Sequence, residues 1–209
     1  MPGSTAAARR TPLATAALCA ALLCAAPAGA ELYFGGAGGA FVPYEGDTGW
    51  TVLAEFGSDW TSDHVRVGGE AIFTSLDTTV DATALGGSRF ELAIRTYELR
   101  FVTRYVLFPG RVTPYVGVGA GVVLIDTDDA PAAAAGSLAA LALSLGGISV
   151  AGGLDGHVGL ELPLFSKEVN LFAEGRAEYN WDFAGDLPRS LRENATDGFS
   201  GIAGLRARY

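Results

Sequence analysis

Apolar and polar side chains alternate along this chain in short segments separated by glycine, proline and acidic turns. In residues 199–209 the alternation puts Leu205 on one face and Arg206 and Arg208 on the other, and the run ends in Tyr209. Because the side chains of a strand alternate with a period of two, the pattern predicts a strand with one apolar and one charged face. By itself, such a strand fits the edge of a soluble sandwich as well as a wall between lipid and a polar interior.

Seven other segments have the same character, so we predict eight strands. They are residues 32–42, 50–60, 65–74, 90–107, 112–125, 149–162, 169–181 and 198–209. An even number of strands returns the chain to the side on which it began, as in bacterial single-chain barrels. The predicted fold is an all-β, eight-stranded, antiparallel, up-and-down transmembrane β-barrel.

The predicted connections differ in length on the two sides of the barrel. Those on one side are short and those on the other are long and acidic, apart from a brief one at 43–49. The short connections are 59–64, 108–111 and 163–168, and the long ones are 77–89, 126–147 and 182–197. This asymmetry is typical of periplasmic turns and extracellular loops.

Aromatic residues stand near both ends of the apolar faces. In the second predicted strand, Trp50 and Trp60 bracket the apolar positions. Ten residues at about 3.3 Å each, tilted by about 40°, span about 25 Å, which is the height of the apolar band in such barrels. We therefore assign a set of aromatics to the membrane interface: Trp50, Trp60, Tyr97, Tyr105, Tyr179 and Trp181.

The opposite face of the strands is charged. With Asp59, it carries eight carboxylates and six arginines, so a lumen lined by them would be nearly neutral. Because isolated buried charges are costly, we predict an ion-pair network that fills the lumen in place of a wide pore. Its members are Glu55, Arg66, Glu70, Glu98, Arg100, Arg104, Asp155, His157, Glu161, Glu174, Arg176, Glu178, Arg206 and Arg208.

The first thirty residues have the layout of a cleaved secretory signal peptide. Arg9 and Arg10 precede an uncharged apolar stretch that ends in Ala28-Gly29-Ala30. We therefore predict a signal peptide at 1–30 and one barrel domain at 31–209. Both cysteines lie in the signal, which leaves the domain without a disulfide framework.

Charge and hydropathy narrow the remaining classes of function. Without residues 1–30, 12 basic residues face 23 acidic ones, a formal charge of −11. The sequence also lacks a clustered basic surface, which argues against a nucleic acid partner. After the signal no apolar run is long enough for a membrane helix, because Gly136, Gly146 and Gly147 interrupt the longest one. A membrane-spanning chain of this kind must form a closed barrel.

Candidate catalytic and metal-binding residues are few. His157 has no serine at the following positions of its strand, and His64, with Ser62, lies in a predicted periplasmic turn. Asp155, His157 and Glu161 share a face but spread over about 20 Å, too far for one ion. The acidic segment 126–129 lacks the glycine and final glutamate of a calcium-binding loop. We therefore expect no enzymatic activity, metal or cofactor.

Residues 130–147 allow two interpretations. A strand extension would align Leu141, Leu143 and Leu145, whereas a short helix would align Leu138, Leu141 and Leu145. The spacing alone does not choose between them.

Two segments carry a resemblance to a known family. One is 111–121, Arg-Val-Thr-Pro-Tyr-Val-Gly-Val-Gly-Ala-Gly, and the other runs from Gly156 to Tyr179 through a short turn. They resemble the small OmpA/OmpX type of outer-membrane barrel, without the periplasmic C-terminal domain of OmpA. The resemblance covers the mature sequence and implies location in the outer membrane of a Gram-negative bacterium.

The resemblance implies more about partners than about activity, because such barrels host many functions. It implies contact with outer-membrane lipid and lipopolysaccharide, insertion by the barrel-assembly machinery, and an assembly signal at Tyr209. The loops are candidates for binding an extracellular ligand. Our leading hypothesis is a non-enzymatic envelope or surface component, and the alternatives are a narrow gated, porin-like channel and a lipid-modifying hydrolase that uses His157.

Overall fold

The protein is a closed barrel of eight strands, described by a computed structural model for residues 31–44, 46–59, 64–81, 89–127, 149–166, 168–182 and 197–209. The strands are β1 (Leu32–Pro43), β2 (Gly49–Asp59), β3 (Val65–Asp81), β4 (Arg89–Val106), β5 (Thr113–Thr127), β6 (Ser149–Ser166), β7 (Val169–Asp182) and β8 (Gly198–Arg208). All neighbours pair antiparallel, in sequence order around the barrel. The predicted eight-stranded, all-β, up-and-down architecture is confirmed.

Some predicted features fall on other parts of the chain. The signal peptide at 1–30, Trp60, Ser62 and the segment 130–147 lie outside the described residues. Among the residues that are described, no helix is long and apolar enough to cross a membrane.

The structure corrects several strand bounds. The third strand does not end at Thr74 but continues to Asp81, where Asp77↔Ala93 through Asp81↔Arg89 extend its pairing with β4. Residues 77–81 of the predicted loop are therefore part of the strand, and the β-branched Thr78, Thr79 and Val80 have a high strand propensity. The sixth strand also runs past residue 162 to Ser166, with an irregular register between Pro163 and Ser166. Proline lacks the amide hydrogen that a regular ladder requires, which accounts for the irregularity.

The first and last strands close the sheet. Their register runs from Tyr33↔Arg208 to Pro43↔Gly198. At one end, the Leu32 amide donates to the Tyr209 carbonyl at 3.1 Å, and the Tyr209 amide donates to the Leu32 carbonyl at 2.8 Å. Closure pairs the ladder groups that an open sheet would leave exposed at its two edges. We call this end of the barrel the lower end and the opposite end the upper end.

Burial alternates along the strands as the sequence pattern predicts. In β7 every second side chain from Asn170 to Asn180 is buried, while those between them are exposed. The exposed positions of the other strands carry large apolar residues, such as Val118, which is 64% exposed, and Val158, which is 61% exposed. Among the side chains that the structure describes, the barrel therefore places large apolar ones outside and most of the charged ones inside.

Inward glycines make room for interior tyrosine rings. A Cβ added at Gly57 or Gly68 would overlap the Tyr33 hydroxyl, and one at Gly159 would overlap the Tyr115 ring. At Gly121 the backbone of β4 leaves no room for a side chain, since a Cβ there would overlap the main chain of Leu99 and Arg100. Small residues at these positions let the wall curve tightly around a filled interior.

We expect Gly121→Ala to lower the free energy of unfolding by about 1–3 kcal/mol, because the added methyl group must displace the β4 backbone. Gly156→Ala is the matched control: nothing lies within 4 Å of a Cβ at that outward position. Urea titrations of the refolded barrel in detergent would measure both. Equal stabilities for the two variants would contradict the packing argument.

The charged lumen as candidate functional site

The predicted charged residues lie inside the barrel. Thirteen of the fourteen are buried, and Arg208 is partly exposed, with 21% of its side chain accessible. Their contacts join strands that are not neighbours in the sheet, such as Arg100 of β4 with Glu178 of β7 and Arg66 of β3 with Glu161 of β6. Side chains on such strands can meet only across the lumen. These contacts form two clusters of ion pairs.

The first group, which we call the lower cluster, contains five arginines and five carboxylates. Its members are Asp59, Glu55, Glu70, Glu161, Glu174, Arg66, Arg104, Arg176, Arg206 and Arg208. Each carboxylate contacts at least two arginines. The signs balance within the cluster, so the buried charges are compensated where they lie.

Glu55 and Glu70 illustrate the geometry of the lower cluster. Arg206 Nε donates to Glu55 Oε1 at 2.6 Å, and its Nη2 donates to Glu55 Oε2 at 2.9 Å. Arg176 holds Glu70 in the same two-pronged manner, at 2.5 and 2.8 Å, and Arg104 Nη2 also donates to Glu70. Paired, charge-assisted hydrogen bonds of this kind are the stronger type and fix the orientation of both groups.

Tyrosine and phenylalanine side chains complete the lower cluster, and sequence reasoning missed them. The Tyr115 hydroxyl donates to Glu174 Oε2 at 2.9 Å, and Arg104 Nη1 donates to the Tyr33 hydroxyl at 3.3 Å. The Arg206 guanidinium lies 4.5 Å from the ring centre of Phe172 and 5.3 Å from that of Tyr33. Aromatic faces attract such cations. The alternation of inward and outward positions could have identified Tyr33 and Tyr115, because both occupy inward positions of their strands.

The second group, the upper cluster, has one arginine for three carboxylates. Arg100 contacts Glu98, Glu178 at 2.7 Å and Asp155 at 3.1 Å. Glu178 also accepts a hydrogen bond from the Ser200 hydroxyl at 2.6 Å, and Glu98 accepts one from Thr96 at 3.2 Å. Unlike the lower cluster, this one has an excess of negative charge.

His157 lies between the two clusters. Its Nδ1 is 2.6 Å from Asp155 Oδ1 of the upper cluster, and its partner in the β6–β7 register is Arg176 of the lower cluster. Its Nε2 is buried and has no hydrogen-bond partner among the described residues. In the described part of the chain, no three His, Cys, Asp or Glu residues are arranged to hold a metal ion.

The predicted interface aromatics that the structure describes face outward. Trp50, Tyr97, Tyr105 and Tyr179 are exposed, and Trp181 is half-buried against Gly152. Several aromatics form ring contacts near each end, including pairs that the sequence did not single out. The upper pairs are Trp50–Phe73, Phe73–Tyr97 and Tyr44–Phe199, and the lower ones are Phe34–Tyr209 and His64–Tyr105.

Comparison with solved structures supports the fold. Neisserial surface protein A is 15% identical, with a TM-score of 0.51 over 87% of this chain and 98% of that protein. The N-terminal β-barrel domain of OprF from Pseudomonas aeruginosa is 10% identical, with a TM-score of 0.50 over 86% of this chain and 97% of that domain. No protein-family model and no curated protein sequence matches the chain. The fold is that of the small eight-stranded outer-membrane barrels.

We expect Glu70→Gln to lower the free energy of unfolding by about 3–5 kcal/mol, because it leaves two buried arginines short of a carboxylate. Asp47→Asn, which removes a carboxylate from an exposed connection, should change it by less than about 0.5 kcal/mol. Urea titrations at one pH and one detergent concentration would compare them. A loss for Glu70→Gln no greater than that for Asp47→Asn would show that the lower cluster contributes little to stability.

Proposed function

We propose that this protein is an integral outer-membrane barrel that serves as a non-enzymatic envelope component, with a lumen closed by ion pairs and acidic loops on the outside. The observation that carries the proposal is the inverted distribution of its side chains. Large apolar groups cover the outside, and charged groups fill the inside. This arrangement suits a wall between lipid and a polar interior.

The outer surface supports a lipid environment. Leu99, Val116, Leu154, Leu160 and other large apolar side chains are exposed around the barrel wall. A soluble barrel would bury such a surface, since extended apolar patches promote association in water. Outer-membrane lipid and lipopolysaccharide are therefore the partners that this surface fits best, and the structural neighbours are bacterial outer-membrane barrels.

The interior supports a closed wall. Arginines of β3, β4, β7 and β8 reach carboxylates on other sides of the barrel, and an apolar cluster of Leu53, Ile72, Phe172 and Ile202 lies in the same interior. Eight strands enclose just enough space for side chains to fill. The lumen therefore suits a plugged cylinder better than a wide pore.

The histidines support a non-enzymatic role. His157 Nδ1 contacts Asp155, but the nearby Ser200 hydroxyl donates to Glu178 and is not positioned by an imidazole. His64 Nδ1 lies 2.9 Å from the Val106 carbonyl, and its ring stacks on Tyr105. A nucleophile needs an adjacent base within hydrogen-bonding reach. The lipid-modifying hydrolase is therefore the least favoured of our alternatives.

One feature favours a narrow channel as the second candidate. Glu161 contacts Arg66, Arg206 and Arg208, so three arginines share one carboxylate. Shared partners allow an arginine to exchange one carboxylate for another without leaving a charge unpaired. Such exchange could open a path through the lumen.

Cell fractionation would test the location. We expect the mature chain in the outer-membrane fraction, and we expect its migration in detergent gels to change on heating, because a closed barrel resists unfolding by detergent alone. A periplasmic soluble protein expressed in the same cells is the control. Recovery of the mature chain with that control would refute the membrane proposal.

Planar-bilayer recordings would separate the closed wall from the channel. For the wild-type barrel we expect no stable unitary conductance, because ion pairs and apolar side chains fill the lumen. Glu174→Gln and Arg176→Gln neutralise one partner each of a lumen pair, and Asp47→Asn is the surface control. A stable wild-type conductance that changes in the lumen variants but not in Asp47→Asn would favour the channel instead.

A further inference from the structure

The two lumen clusters differ in their charge balance. The lower cluster pairs five arginines with five carboxylates, whereas the upper cluster has Glu98, Asp155 and Glu178 around Arg100 alone. The three carboxylates and one guanidinium of the upper cluster have a formal sum of two negative charges. Uncompensated charge in a buried site is costly, so the site favours binding a proton.

Two of these carboxylates meet at the same atom. Glu98 Oε2 and Glu178 Oε2 both contact Nη2 of Arg100. Because both lie within hydrogen-bonding distance of one nitrogen, they are at most about 6 Å apart. Glu98 and Glu178 are each at most 5% exposed, so water does little to screen their repulsion. Repulsion between two buried carboxylates this close favours a proton on one of them.

The described residues around the pair supply little further compensation. On β4 and β7, Arg104 and Arg176 already contact carboxylates of the lower cluster, and Arg206 of β8 does the same. Glu70 of β3, Glu55 of β2 and Glu174 of β7 add negative charge below the pair.

On the remaining strands, no cation lies beside the pair among the side chains that the structure describes. The facing positions of β5 are Gly117, Gly119, Gly121 and Val123, and the inward positions of β1 are uncharged. Asp155 and His157 of β6 lie beside the pair, and Asp197 is buried above it, where it accepts a hydrogen bond from the Asn180 amide.

We propose that the Glu98–Glu178 pair of the upper cluster is a proton-binding site within the lumen. A proton on either carboxylate reduces the negative charge of the cluster and removes the repulsion between the two groups. The site makes the packing of this part of the lumen dependent on pH. The inference rests on the folded lumen and holds whether the barrel is a closed wall or a channel.

The proton has a thermodynamic consequence. An unfolded chain ionises both glutamates near their ordinary pKa of about 4.3, whereas the folded pair keeps one proton to a higher pH. Stability therefore falls as the pH rises from about 4.3 to the pH at which the folded pair loses its proton, and it levels off above that pH. For one proton, the folding equilibrium constant falls by up to about tenfold per pH unit in that range. Glu98→Gln removes the repulsion, so this variant should match the wild type at low pH and exceed its stability at high pH.

Urea unfolding of the full mature barrel in detergent, from about pH 4 to about pH 9, covers this window and tests the proposal. We expect the folding constant of the wild type to fall more steeply than that of Glu98→Gln, by up to about tenfold per pH unit. Glu178→Gln should behave like Glu98→Gln. The controls should keep the wild-type slope: Asp47→Asn on the surface, Glu174→Gln in the lower cluster and His157→Gln beside the pair.

Two outcomes would overturn the proposal. A wild-type slope no steeper than that of Glu98→Gln and Glu178→Gln would show that the pair takes up no proton. A slope lost only in His157→Gln would assign the proton to the imidazole. If the variants do not fold, infrared spectra of the folded wild type detect the proton directly. We expect a protonated-carboxyl band that disappears at high pH. Absence of this band at every pH would overturn the proposed site.

Discussion

Charges buried in a narrow barrel must find partners inside it, and this requirement governs much of the structure. The pairing of β1 with β8 creates the enclosed space, and strand alternation then directs one face of every strand into it. Residues on opposite sides meet there, as Arg206 of β8 does with Glu55 of β2. A charge without such a partner would destabilise the barrel by several kcal/mol. Closure, alternation and ion pairing are therefore one interdependent arrangement.

The sequence was sufficient to predict the strands and their phase, because both follow from a period of two. The alternation around Glu174 and Arg176 places both side chains inward without any knowledge of the partner strands. It could not predict which charges meet. Arg100 and Glu178 are 78 residues apart, and their contact depends on the tilt and register of four strands. Sequence reasoning also overlooked Tyr33 and Tyr115, since it counted charged residues on the inward face and not aromatic ones.

The misjudged strand bounds have a physical cause as well. Residues 77–81 look like a loop because acidic and threonine residues replace the apolar alternation there. They nevertheless pair with β4, since ladder hydrogen bonds join backbone groups and do not require apolar side chains. Periodic hydrophobicity reports burial and not backbone pairing. The apolar–polar alternation of a sequence therefore does not reveal strand ends at which that alternation is lost.

The sharing of carboxylates in the lower cluster also bears on how the barrel acquires its register. If β1 and β8 met two residues out of step, every side chain would keep its face, and the apolar exterior would be unaffected. The shift would nevertheless move Arg206 of β8 by about 7 Å relative to Glu55 of β2, which lies across the seam. A misaligned barrel would then lose the Arg206–Glu55 ion pair that the native seam allows. The lumen charges thus act as a check on assembly, selecting one alignment of the closing seam among several that lipid alone would accept.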